Sequence, residues 1–441
     1  MLASRSFRVF PITGQLWRAI LWSGIATAII FALVYVLGKH DLTWEAPDRF
    51  TYDWRAALYS EVPPETRTDI ALVLISDDSL ARYYSRSPVD RGLIAELIRA
   101  VDAAGPKGIG LDFIFDRRSE PCKNDALLKS IREAKSQVIL GLTTGKEGPV
   151  SQENLEIQED FIRGTGQPQP RPAGTLFFGE HEDWVTLGDD VVRTMGAPIG
   201  NRSNSKPFDL LLAEIAGAKE MPSNRLIDWL LRPKEGKYDT FATIYVPPHE
   251  PVDGLGDGSE LLPKAITSVF KNKVVIIGGD FIDRDQHLIP LSIETKARVP
   301  GAFIHAQIVA QLIDGRMITE LPRIYEVPIV FMVCFVSYLI SARYFLFGIE
   351  LFSHSIFLLV IILIGAIFFY KARIVLPTST MASGWILGAI GGDHYDKFAN
   401  PIICLLNEIS VGLTKVGCAL QRKCWAALNE VRHLAGRNRS R

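Results

Sequence analysis

The sequence predicts an α/β domain with a largely parallel sheet, joined to an α-helical membrane region with one span before it and three after. Three observations carry that prediction. Runs of β-branched apolar residues alternate with helical apolar patterns between residues 69 and 315. Four uncharged or nearly uncharged stretches flank that block, and 48% hydrophobic residues with a mean hydropathy of +0.15 call for membrane segments. The charge is also divided. Residues 41–323 hold 43 acids and 33 bases, and the remainder holds 6 acids and 15 bases, a split that the net charge of −1 conceals.

The spans come first. Ala19 to Leu37, AILWSGIATAIIFALVYVL, has no charge and is long enough to cross a hydrocarbon core of about 30 Å. Arg5, Arg8 and Arg18 precede it as in a signal sequence. It is long for one, however, and no small-x-small cleavage site follows, so it reads as an uncleaved anchor. Residues 325–342 and 351–370 are the next two spans, the latter reading LFSHSIFLLVIILIGAIFFY. Residues 374–390, IVLPTSTMASGWILGAI, are short and carry Pro377. A fourth span is expected there, with a re-entrant or interfacial segment as the alternative.

Basic residues are retained on the cytoplasmic side. Arg5, Arg8 and Arg18 therefore place residues 1–18 inside, and the first span exports 41–323. Arg343 returns inside after the second span, whereas Lys371 and Arg373 fall outside against the rule. Residues 400–441 carry Lys415, Arg422, Lys423, Arg432, Arg437, Arg439 and Arg441, which is the best argument that the fourth span crosses. The expected location is the inner (plasma) membrane, multi-pass, with the large domain outside. Cysteine usage agrees. Cys122 is the sole cysteine of 41–323 and can form no internal disulfide there, and Cys404, Cys418 and Cys424 in the tail match no zinc spacing.

The exported block is long enough to bury a core. DIALVLIS (Asp69 to Ser76) is a continuous apolar run, as for a strand covered on both faces. In SPVDRGLIAELIRAVDAAG, Ser87 can cap a helix with Pro88 in its first turn, and Leu93, Ile94, Leu97, Ile98 and Val101 recur at helical spacing up to Gly105. GIGLDFIF is the next strand, NDALLKSIREAK the next helix and QVILGL the next strand. Such alternation means parallel pairing through right-handed crossovers. Residues 145–172, rich in Gly, Gln and Pro, read as a surface loop. PFDLLLAEIAG is a helix, TFATIYV a strand, VFKNKVVIIGG a buried strand, and GAFIHAQIVAQLIDG a helix closed by Gly315.

In their order and spacing IALVLISDDSL, GIGLDFIF, DDVVR (Asp189 to Arg193), KVVIIGGDFIDRDQHLIPL and PGAFIHAQIVAQLIDG resemble the successive signatures of a CHASE domain of the second type. The resemblance covers most of residues 45–320. Val191 stands where the family's turn usually has glycine. It implies an extracytoplasmic sensory domain of a bacterial receptor, with one span before the domain and three after. That family's spans normally lead into a nucleotide cyclase, a kinase or a diguanylate cyclase. Here GGDHYDKF at Gly391 lacks the surrounding cyclase domain, and neither a Gly-rich kinase loop nor a P-loop occurs.

VVIIGGDFIDRDQHLIP (Val274 to Pro290) places Asp280, Asp283, Asp285 and His287 just after a glycine-ended strand. Asp77 follows the first strand, Asp112 lies within the second, and His305 is on the last helix. Ligands bind outside the carboxyl ends of strands in doubly wound sheets. The expected ligand-binding set is therefore Asp77, Asp112, Asp280, Asp285, His287 and His305. Carboxylates and neutral imidazole suit a divalent cation and equally an amine; no other cofactor and no catalytic residue is expected. The structural alternative is that Asp and Gly end strands because they make turns. The function expected is a sensor that detects a small extracytoplasmic ligand and signals to a cytoplasmic output protein in trans. The alternatives are a membrane-tethered exported hydrolase using the Asp/His cluster, and a non-signalling scaffold. No H-E-x-x-H or Gly-x-Ser-x-Gly supports the hydrolase.

The tail's apolar positions, Ile402, Leu406, Ile409, Leu413, Val416, Leu420, Cys424, Ala427, Val431 and Leu434, alternate steps of four and three with one slip. That is the seam of a coiled coil, and a homodimer is expected from it. The competing reading is an amphipathic helix on anionic membrane lipid. Nucleic acid is not an expected partner.

Overall fold

The computed structural model describes residues 24, 25, 28, 45–63, 65–84, 87–144, 150–166, 169–178, 191–196, 206–218, 226–231, 240–262, 268–282, 285–293, 295–343 and 347–393. Apart from the first three, the anchor 19–37 lies outside the described residues, as do the basic tail 400–441 and Asp283. The chain forms two compact units, one of Asp41–Pro322 with Leu363–Pro377 and one built on the C-terminal helices.

The first unit begins with α1 (Glu45–Tyr59) and continues β1 (Arg67–Ser76), α2 (Arg91–Ala103), β2 (Gly108–Ile114), α3 (Pro121–Glu133), β3 (Gln137–Leu142), α4 (Gln152–Gly164), β4 (Ala173–Thr175), α5 (Phe208–Ala216), β5 (Phe241–Tyr245) and β6 (Val274–Asp280). The short strands β7 (Gln286–His287) and β8 (Val299–Pro300) pair antiparallel ahead of α6 (Gly301–Asp314). The six-stranded sheet has the order β4-β3-β2-β6-β1-β5, and every pairing in it is parallel. Such a sheet must be covered on both faces. Ile70, Leu72 and Leu74 of β1 face α1, α5 and α6, and Ala71, Val73 and Ile75 face α2, α3 and α4.

Two local readings change. Asp90, rather than Ser87, caps α2: its carboxylate accepts from the N–H groups of Gly92 and Leu93 at 2.8 and 3.2 Å. The polar stretch 145–172 contains α4. Ser151 caps that helix, Phe161 stacks on Phe115 at 4.4 Å, and buried Gln158 exchanges two hydrogen bonds with the backbone of Thr143. One aromatic and one amide hold α4 in place, which is too sparse a pattern to show as helical periodicity.

The C-terminal elements are β9 (Thr319–Glu320), α7 (Arg323–Arg343), α8 (Phe347–Ala372), β10 (Ile374–Val375) and α9 (Thr378–Asp393). Ile324–Ser341 and Phe352–Ala372 are long and apolar enough to cross a membrane. The predicted segment 374–390 is divided: it opens as a strand paired with β9, and its helix of 16 residues starts after Pro377. Within the helical unit α7 and α9 meet over small residues. A Cβ at Gly388 would lie 2.2 Å from the Cys334 carbonyl oxygen, and Ser337 Oγ donates to the Trp385 carbonyl at 2.6 Å. Gly384 and Gly388 thus form a small-x-x-x-small pattern, which lets two helix backbones approach closely. His354 pairs with Ser341 at 2.8 Å and lies edge-on to Trp385, so it packs between helices.

Candidate functional site

Glycines on one face of β2 create the site. A Cβ at Gly110 would meet Phe208 and Leu212 at 2.7 Å, so a side chain there would push α5 away. Two residues further on, the same face carries Asp112. On the neighbouring strand Gly278 pairs with Asp112, and a Cβ there would strike Ala302 at 2.7 Å. Absent side chains thus let α5 and the first turn of α6 close on the sheet around one carboxylate.

α5 delivers Asp209 and α6 delivers His305. His305 is 1% exposed, and its Nδ1–H donates to Asp209 Oδ1 at 2.6 Å. Its Nε2 lies 3.5 Å from Asp112 Oδ1. Phe178 and Phe208 flank the ring, with centroids 4.5 and 5.1 Å away. Asp112 Oδ2 is buried and has no hydrogen-bond partner. Two part-exposed residues lie nearby. Asp285 takes a positive φ of 58° and packs on the start of α6, where a Cβ at Gly301 would be 2.6 Å from its Oδ1. His287 Nε2 is 3.4 Å from Asp285 Oδ1, and its ring is 5.3 Å from Phe178. Phe178 therefore contacts both imidazoles.

The remaining expected site residues are engaged elsewhere. Asp77 Oδ2 accepts from the N–H of Ile282 at 3.0 Å. Asp280 accepts from Tyr245 Oη at 2.8 Å and from Gln286 Nε2 at 2.6 Å. Both finish the turns after their strands. Among the described residues no group of three or more His, Cys, Asp or Glu is arranged to hold a metal ion. Asp209 and Phe178 are the members that sequence reasoning missed. Asp209 looks like an ordinary acid in the first turn of a helix, where the dipole favours it, and only the fold brings it to a histidine 96 positions away. Arg193, which ends the DDVVR stretch, forms a buried two-pronged pair with Asp53 at 2.8 and 2.7 Å and belongs to the scaffold.

Burial raises the Asp112 carboxyl to about 7, against the pull of His305 and with help from Asp285 and Asp209. Burial alone would depress His305, but Asp209 and Asp112 outweigh it and raise the imidazole to about 9. Both shifts make the folded state hold protons that the unfolded chain releases, and stability falls with pH wherever that is so. The Asp112 contribution is lost as pH rises from about 4 to about 7. The His305 contribution is full below about 6.5 and lost as pH rises through 9. The melting midpoint of the full chain in detergent should therefore fall from pH 5 to pH 9. Asp112→Asn should flatten the part below pH 7 and also shrink the part above it, because the Asp112 carboxylate helps hold the proton on His305. A midpoint that climbs over this range in the unaltered chain contradicts the assignment.

A family model, described as the CHASE2 domain, matches residues 26–341. No curated protein and no solved structure matches the chain.

Proposed function

This chain belongs to the CHASE2 domain family of extracytoplasmic sensory domains, and from that premise we propose that it is a membrane receptor whose sheet unit takes up a small cationic ligand, an amine-bearing molecule, beside Asp112, Asp285 and His287. One observation carries the site: the buried, unpartnered Asp112 Oδ2 at the carboxyl end of the sheet. A buried acceptor without a partner costs about 1–3 kcal/mol, and an ammonium group would relieve that cost. Asp112, Asp209 and Asp285 outnumber His305 and His287, which favours a positively charged ligand over an anion. The signal passes across the membrane to a cytoplasmic partner polypeptide. Support for that step comes from helix α8, whose end, Leu363–Ala372, belongs to the same compact unit as the cluster.

The test is a thermal shift on the full chain in nanodiscs, with putrescine and methylammonium as amine probes and magnesium and calcium as cation probes. Saturation at about a hundred times Kd adds about 2.7 kcal/mol to stability, which is readily seen. Asp285→Asn and His287→Ala, at half-exposed positions, should abolish the shift while leaving the unliganded midpoint nearly unchanged. A shift with the divalent ions alone would replace the amine by a divalent metal ion. No shift with any probe, together with low midpoints in both variants, would make the cluster purely structural.

A further inference from the structure

Helix α1 faces the wrong way round for a helix in water. Three of its charged residues, Arg49, Asp53 and Arg55, are buried, at 3%, 6% and 6% exposure, with Tyr52 and Ala56 among them, and Asp48 in the first turn is part-exposed. Asp53 meets Arg193, and Arg55 Nη1 donates to the Leu376 carbonyl at 3.0 Å. Its outward positions are apolar: Phe50 and Leu58 are 58% and 56% exposed, and Trp54 between them is part-exposed with its ring 6.2 Å from Phe50. Steps of four residues align the three along one face. This is a continuous apolar stripe, unlike the scattered single residues common on soluble surfaces.

We infer that this stripe lies in the lipid of the bilayer interface. Continuity with α8 selects that occupant. Tyr59 at the end of α1 meets Tyr370 edge-on at 6.3 Å, and Tyr52 meets Phe369 at 6.2 Å, so α1 is fixed to the last turns of α8. α8 is a helix of membrane-crossing length whose neighbouring residues Ile367, Phe368 and Tyr370 are themselves exposed. Lys371 lies 5.0 Å over the Tyr370 ring. Tryptophan and tyrosine collect at the ends of spans, where an apolar body and a polar rim are both solvated, and lysine extends from there to the headgroups. A helix with one apolar face and its polar groups satisfied from the other side lies in that plane. The inference rests on the membrane reading of α8 and adds a surface to the sheet unit that the reading of α8 does not require.

The experiment is site-directed spin labelling of the full chain, freed of its cysteines and reconstituted in phosphatidylcholine vesicles. Labels go at Phe50→Cys, Leu58→Cys, Leu359→Cys on α8, and exposed Glu133→Cys on α3. Oxygen concentrates in lipid and a water-soluble nickel chelate is excluded from it. The oxygen-to-nickel collision ratio at 50 and 58 should exceed that at 133 severalfold and approach that at 359. A nickel-accessible signal at 50 and 58 with a lipid signal at 359 overturns the inference and leaves the membrane reading standing. A water signal at 359 overturns the membrane reading, and the inference with it. Low collision rates for both reagents with dipolar broadening at 58 place a second copy on the stripe and also overturn the inference. Unlabelled Leu58→Glu gives an independent arm. Its detergent midpoint should match the unaltered chain, and its hydrogen-exchange protection over residues 45–60 in vesicles should fall; unchanged protection counts against lipid contact.

Discussion

Replacing His305 with alanine is expected to cost the folded chain about 3–5 kcal/mol, the penalty for removing one partner of a buried ion pair. Asp209 has 2% of its side chain exposed and Asp112 6%, so neither can recover water when the imidazole is gone. The loss is therefore an uncompensated buried charge rather than a missing contact. Asp112→Asn makes the contrast. Its Oδ2 already lacks a partner, and the amide removes charge without changing size, so a cost within about 1 kcal/mol is expected. Chemical denaturation of the full chain in detergent measures both. The double variant Asp209→Ala with His305→Ala should cost much less than the sum of its parts, because each single change strands the other group. Equal costs for His305→Ala and Asp112→Asn would refute this account.

The same residues show what a sequence can and cannot display. Asp112 stands out as an acid in an otherwise apolar strand, and His305 as a histidine in an apolar helix. Each is visible because local burial conflicts with local polarity. Their common partner is not visible: Asp209 sits in an amphipathic helix that would look the same with its acid in solvent. Asp77 and Asp280 stand out for the opposite reason. They follow strands, where carboxylates occur in ligand sites and in turns alike, and only the geometry shows them holding Ile282, Tyr245 and Gln286. The parallel sheet was legible in the continuous runs 69–76 and 274–279, since a strand buried on both faces needs no alternation. The connector formed by the end of α8 and the residues that lead to α9 was not legible. Residues 363–377 read as the end of one apolar segment and the start of another, and hydropathy does not distinguish lipid from a protein core.

That connector carries the other large effect. Phe369→Ala should destabilise the sheet unit by about 3–5 kcal/mol, the usual cost of emptying a buried aromatic site. Phe369 is fully buried in the core that α1, α5 and α6 form on one face of the sheet, edge-on to Tyr52. The residues after it are held as firmly. Arg373 Nη1 donates to the Tyr59 carbonyl at 3.1 Å and lies 3.7 Å from Asp228, itself 1% exposed. Thr319 N–H donates to the Arg373 carbonyl at 2.8 Å, and Leu321 N–H to the Val375 carbonyl at 3.2 Å. Asp228 is in turn fixed from α6, whose Gln311 amide accepts from its N–H at 2.7 Å, six residues beyond His305. The family match covers residues 26–341 and so leaves out residues 363–377, Phe369 and Arg373 among them. A fragment of residues 41–322 should therefore melt well below the full chain or aggregate, and joining residues 363–377 to it through a Gly-Ser linker should restore much of the difference. Ile367→Ala is the control, since Ile367 is 58% exposed and lies two residues from Phe369 on the same helix. If Phe369→Ala and Ile367→Ala shift the midpoint equally, or the fragment melts like the full chain, the connector is a passive loop and the sheet unit is complete without it.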